Sequence, residues 1–233
     1  MSVTALRMLA PYVAALAILQ LAACDSPQPA QSKADTQAPA ETAVAGPERV
    51  VVAFGDSLYA GYGLNRGEGL ADELQSQLRA GGINARVVKA GVSGDTSAAG
   101  RQRLAFTLDS LEAKPDLVLL GLGGNDMLRQ LPPAETRANM TAMLDELKRR
   151  GIPVILTGMV AAPNLGPDYA RDFNAIYPEL AAEYGATLDP FILDGVIGVD
   201  GMMLPDGLHP SAEGVDAIAN RLAPLVAEKL SDN

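Results

Sequence analysis

From residue 49 onward, short continuous apolar runs alternate with longer stretches whose apolar positions recur every three or four residues. The runs at 50–54, 85–89, 117–122 and 154–157 read as strands, with a weaker candidate at 187–188. The stretches at 70–80, 97–111, 134–149, 169–184 and 212–230 read as helices. Within the runs apolar residues follow one another without polar alternation, as in strands covered on both faces. Periodicity alone does not separate such a run from a piece of buried helix. Val and Ile enrichment and the flanking glycines Gly81, Gly82 and Gly151 decide for strands. Alternation at this spacing predicts an α/β fold in three layers, a parallel sheet of about five strands with helices on both sides. In open sheets of this kind ligands bind beyond the carboxyl ends of the strands.

The first 48 residues break this rhythm. Residues 1–23 carry Arg7 and then an apolar stretch from Met8 to Ala23, the layout of a signal peptide and short for a spanning helix. The stretch ends in Leu21-Ala22-Ala23-Cys24, which looks like a bacterial lipobox, with Cys24 as the lipidated first residue of the mature chain. Cys24 is also the single cysteine, so it has no partner for an internal disulfide. Residues 24–48 follow as a tether of Pro, Ala, Gln, Ser and Thr, too poor in large apolar groups to offset its ordering entropy. About 23 such residues reach roughly 25–30 Å. The expected organisation is therefore a leader at 1–23, a lipidated cysteine and tether at 24–48, and one folded domain at 49–233. It describes an exported bacterial lipoprotein, held to a membrane through Cys24 and facing the periplasm or the exterior.

Composition narrows the class. Of 233 residues 48% are hydrophobic, enough for a sizeable core, while aromatics make up 4% and Trp is absent. The net charge of −10, which loses a further positive charge with Arg7, speaks against a nucleic-acid partner. It also leaves membrane attachment to acyl chains rather than to charge.

Four polar segments fall just after strand candidates or at the equivalent edge: Gly55-Asp56-Ser57-Leu58, 91–96 (GVSGDT), Gly123-Gly124-Asn125-Asp126, and 206–210 (DGLHP). A serine hydroxyl becomes a competent nucleophile only when a base takes its proton, and imidazole suits neutral pH. The chain has one histidine, His209, and Asp206 stands three residues before it, ahead of a helix that Ser211 would cap. A tetrahedral oxyanion needs fixed donors, for which the Ser57 N–H, the Gly94 N–H and the Asn125 amide are suited. Each segment alone is an ordinary turn. Their order along one sheet edge is what points to acyl transfer. There is no Gly-x-Ser-x-Gly elbow, no phosphate-binding Gly-x-x-x-x-Gly-Lys-Ser/Thr loop and no dinucleotide fingerprint.

These segments resemble the sequence blocks of the SGNH hydrolases, also called the Gly-Asp-Ser-Leu esterases and lipases. The longer strings GVSGDTSAAGRQRL, LGGNDMLRQLPP and APNLGPDYARDFNAIYPELA are similar to the bacterial multifunctional thioesterase–lysophospholipase–arylesterase branch. The resemblance implies a flavodoxin-like fold and no metal or cofactor. It implies Ser57 as nucleophile, Asp206 and His209 as its partners, and Gly94 and Asn125 as oxyanion donors beside the Ser57 N–H. The implied substrates are small-molecule acyl or aryl esters and thioesters, lysophospholipids among them. Met127, Leu128, Leu131, Met159, Val160 and Leu165 are candidate acyl-pocket residues, since they follow Asn125 or lie in the loop after the fourth strand. Only a neutral imidazole accepts a proton, so activity is expected to fall on the acid side of neutrality. Asp56 and Asp126 are expected to bond loop backbone. A carbohydrate O-acetyl esterase of the same family and a tethered binding lipoprotein stay open as alternatives. A metal hydrolase finds no clustered Asp/His spacing to support it.

Overall fold

A computed structural model describes residues 44–232. The leader, Cys24 and nearly all of the tether lie outside the described residues. Five apolar runs form one sheet: β1 Arg49–Gly55, β2 Ala85–Gly91, β3 Leu117–Gly121, β4 Val154–Thr157 and β5 Thr187–Asp189. All neighbouring pairs are parallel and the order is β2-β1-β3-β4-β5. Alternate residues of one strand serve opposite layers. Val51 and Ala53 pack beneath α2 (Leu70–Ala80) and α8 (Ala212–Ser231). Val52 and Phe54 pack beneath α3 (Ser97–Asp109), α5 (Pro133–Arg149), α6 (Pro167–Asn174) and α7 (Ile176–Tyr184). Both faces are covered, which is why the central strands β1, β3 and β4 read as nearly unbroken apolar runs. Two short helices, α1 (Ser57–Ala60) and α4 (Gly124–Leu128), and a 3₁₀ turn at Pro163–Leu165 lie outside this framework. No helix among the described residues is long and apolar enough to cross a membrane.

The helix expected over 169–184 is two helices, α6 and α7, meeting at Ala175. Pro178 has no N–H to give the carbonyl four residues back, at Asn174, and α6 ends there.

The chain leaves β1 towards β2 on one side and returns to β3 on the other, so a switch point lies between β1 and β3. Gly91, Gly55 and Gly121 stand side by side in register, at the carboxyl ends of β2, β1 and β3. A Cβ at Gly55 would overlap the Tyr59 ring, one at Gly91 the backbone of Tyr59 and Ala60, and one at Gly121 the Tyr59 and Thr157 hydroxyls. This glycine row lets α1 lie down on the sheet edge. Tyr59 is buried against it and its hydroxyl sits 2.6 Å from Thr157 Oγ1.

Candidate active site

Ser57 opens α1 at the switch point. Asp56, buried, caps the helix by accepting from the Leu58 N–H at 3.1 Å, and Gly61 closes it in the left-handed conformation at φ 70°. Burial pushes the Asp56 carboxyl up from 3.8 to about 6, against the opposing pull of the Leu58 N–H and the His209 charge.

From the far end of the chain, the turn before α8 delivers His209. Its Nε2 lies 2.8 Å from Ser57 Oγ and its Nδ1 2.6 Å from Asp206 Oδ2. Asp206 is fixed in turn: its Oδ1 accepts from the N–H groups of Leu208 (2.9 Å) and His209 (3.0 Å). Bonding from the His209 ring, then from these two N–H groups, holds the Asp206 carboxyl down at about 2. An ionised Asp206 accepts the Nδ1 proton, leaving Nε2 free to accept from the serine hydroxyl. Gly207 takes the left-handed conformation the turn needs (φ 66°), and the Leu204 N–H donates to the His209 carbonyl at 2.8 Å. Ser211 caps α8 as expected, accepting from the Gly214 N–H.

Gly94 sits exposed in the loop after β2 with φ 85°, a conformation that side chains disfavour. The Val92 N–H donates to Gly55 O at 3.0 Å and fastens this loop to β1. Asn125 is the second residue of α4. Its Nδ2 donates to the Asp95 carbonyl at 3.0 Å and makes a longer contact of 3.4 Å with Asp56 Oδ2. Among the described residues neither the Ser57 N–H nor the Gly94 N–H has a hydrogen-bond partner. Asp126, also buried, accepts from Ser97 N (2.7 Å), Ser97 Oγ (2.5 Å) and Thr136 Oγ1 (3.2 Å), binding α3 to α5. Both Asp56 and Asp126 thus bond loop or helix-start backbone.

The six candidate pocket residues separate. Leu128 and Val160 are exposed at the carboxyl edge. Met127 and Met159, half-buried, pack against the core, and the Met127 sulfur accepts from the Ala162 N–H. Leu131 and Leu165 are half-buried, and the Leu131 carbonyl accepts from the Tyr169 hydroxyl. Sequence reasoning missed two neighbours of the site. Tyr62, exposed, lays its ring against the His209 imidazole with centroids 4.4 Å apart. Arg103 ties the Gly94 loop to the sheet through Asp95, and the paired charges of the string GDTSAAGRQRL were the signal for it.

The profile of the "GDSL-like Lipase/Acylhydrolase family" matches residues 53–217, most of the chain and all four segments that meet here. The chain belongs to this family. The SGNH/GDSL member is 42% identical over 178 residues to Esterase TesA of Pseudomonas aeruginosa, spanning 76% of this chain and 88% of that protein. It is 35% identical to the Thioesterase 1/protease 1/lysophospholipase L1 of Escherichia coli K12, over 74% of this chain and 83% of that one. Among solved structures it is similar to AlinE4, an SGNH-hydrolase family esterase, at 51% identity. That likeness has a TM-score of 0.68 and covers 79% of this chain and 97% of the other. This SGNH/GDSL protein is a carboxylic ester hydrolase of the serine type.

Proposed function

We propose that the protein hydrolyses carboxylic esters and thioesters of apolar acyl or aryl groups through an acyl-enzyme on Ser57. The observation that carries this reading is the unbroken relay from Ser57 Oγ through His209 to Asp206, 2.8 Å and 2.6 Å between heavy atoms. Ser57 Oγ attacks the carbonyl carbon while its proton passes to His209 Nε2. Asp206 keeps the proton on Nδ1 and balances the imidazolium. The carbonyl oxygen, now an anion, accepts from the Ser57 and Gly94 N–H groups and the Asn125 amide. Asn125 carries two amide hydrogens, and the one committed to the long Asp56 contact is the cheaper to redirect. Collapse breaks the bond to the alcohol or thiol, which leaves with the proton from Nε2. Water then attacks the acyl-enzyme, giving its proton to Nε2, and the acid departs as Ser57 recovers the proton.

Leu128 and Val160, exposed in segments that follow Asn125 and β4, favour an apolar acyl or aryl group over a sugar. Lysophospholipids fall within this class, and the names of the relatives are consistent with it. The lipobox at 21–24 supports an exported lipoprotein, held to its membrane through Cys24 by a tether reaching to residue 48. The test is hydrolysis of p-nitrophenyl esters from acetyl to palmitoyl by the full-length protein, with Ser57→Ala alongside. Activity rising beyond acetyl and lost in the variant is expected. A profile confined to acetyl indicates the O-acetyl esterase instead, and full activity in Ser57→Ala overturns the mechanism.

A further inference from the structure

Arg103 stands in the second turn of α3, and its guanidinium bonds neither Ser57, Asp206 nor His209. Among the described residues the guanidinium's hydrogen bonds all go to the framework around them. Nε donates to Asp95 Oδ2 at 2.6 Å, Nη1 to the Ala90 carbonyl at 2.9 Å and Nη2 to the Gly55 carbonyl at 2.8 Å. The guanidinium also lies over the Phe54 ring, 3.9 Å from its centroid. Both partners of the ion pair are largely buried, with 21% and 12% of their side chains exposed, so water does little to weaken it.

Between them the three acceptors lead to all three oxyanion donors. Gly55 ends β1, and two residues later Ser57 presents its N–H. Asp95 follows Gly94, so anchoring its carboxylate limits movement of the Gly94 N–H. The Asp95 carbonyl receives the Asn125 amide and sets its direction. Ala90 fixes the end of β2, from which the Gly94 loop departs. Gly94 has no side chain and is exposed, so the loop is held by the bond through Asp95, by the Val92 N–H on Gly55 O, and by Arg129 Nη2, which donates to the Gly94 carbonyl at 2.9 Å from an exposed position.

We propose that Arg103 is the positioning residue of the oxyanion hole, referring the donors on three separate loops to one planar guanidinium. The proposal rests on Ser57, Gly94 and Asn125 being those donors. A planar fork of five N–H groups reaches three acceptors in different directions, which a lysine ammonium on its flexible stem does not reproduce. Losing one oxyanion donor costs about 10²–10³ in rate, and misplacing reacting groups by about 1 Å costs up to about 10².

The test is a double-mutant cycle in the full-length protein with Arg103→Lys and Asn125→Ala, each kcat expressed per phosphonate-titratable serine. Arg103→Lys is expected to lower kcat about 10–100-fold with KM changed less than about twofold. In the Asn125→Ala background the same change is expected to cost at least about threefold less than in the wild type, because one of the three donors that Arg103 positions is already gone. A merely structural arginine lowers the titratable fraction instead and leaves kcat per site unchanged, which overturns the proposal. Equal losses in both backgrounds, or a loss carried by KM, overturn it as well. An undiminished kcat in Asn125→Ala overturns the oxyanion reading beneath it, a result distinct from additivity. If Arg103→Lys does not fold, Asp95→Asn takes its place in the cycle. A kcat loss in the same direction supports the proposal, and a wild-type kcat overturns it.

Discussion

Two carboxylates beside Ser57 carry opposite environments. Asp206 is exposed, accepts three hydrogen bonds and is held at about 2, whereas Asp56 is buried and pushed up to about 6. A lowered folded-state value means that the stabilisation from Asp206 is complete above the ordinary 3.8 and lost as pH falls towards about 2. Asp206 therefore stays ionised wherever the enzyme works. Asp206→Asn is expected to lower kcat about 10⁴-fold by permitting the wrong imidazole tautomer, with KM little changed, as steady-state kinetics will read. Asp56 has the reverse sign: the folded state favours its protonated form, so stability is lost as pH rises from 3.8 through about 6. Asp56→Asn can still cap α1 and carries no charge. Its stability relative to wild type is expected to improve between pH 4 and pH 7 by on the order of 3 kcal/mol at most, measured by urea unfolding at each pH. A difference independent of pH contradicts the burial of an ionising group. Among single residues, the grouping of Ser57, His209 and Asp206 was legible because the chain holds one histidine, with an aspartate three residues before it. Tyr62 and Arg103 were not, since an exposed tyrosine and a helical arginine are unremarkable until the fold brings the His209 ring and the Gly94 loop to them.

β1, β3 and β4 were legible because burial on both faces writes itself as unbroken apolar runs, and β4 runs over 154–157 as read. The long helices α2, α5 and α8 were legible from their one-sided periodicity. What escaped was short. At four and five residues, α1 and α4 hold too few positions to show a period, and α4 starts behind a glycine in the left-handed conformation (Gly123, φ 112°). These are also the elements that present Ser57 and Asn125, so the fold was easier to read than the supports of its site. The break between α6 and α7 was visible in principle at Pro178. The row of Gly55, Gly91 and Gly121 is a tertiary feature: each glycine ends its own strand, and only registration of β2, β1 and β3 makes a seat for α1. Gly91→Ala is expected to destabilise by about 2–3 kcal/mol, since its Cβ would meet backbone at Ala60 that has nowhere to move. Turnover falls with it, because the displaced helix carries Ser57. Urea unfolding and kcat measured together check this, and a wild-type unfolding midpoint contradicts the seat.

Across the molecule, one sheet edge gathers residues 57, 94, 125 and 206–209, separated in sequence by as many as 152 positions. The switch point between β1 and β3 supplies the crevice, and α1, α4 and the turn before α8 converge on it. A net charge of −10 gives no electrostatic hold on anionic lipid, so the proposed membrane attachment rests on lipidation of Cys24. Full-length protein expressed in a bacterial host is expected in the detergent phase on Triton X-114 partition, and Cys24→Ser in the aqueous phase. Identical partition of the two contradicts lipidation there. The nucleophile is open to direct chemical identification. Full-length enzyme treated with a fluorophosphonate and digested should carry one adduct, on Ser57, with activity lost in proportion to labelling and no adduct in Ser57→Ala. Labelling of another residue in step with inactivation, or full activity after Ser57 is occupied, would show that the ester is cleaved without it.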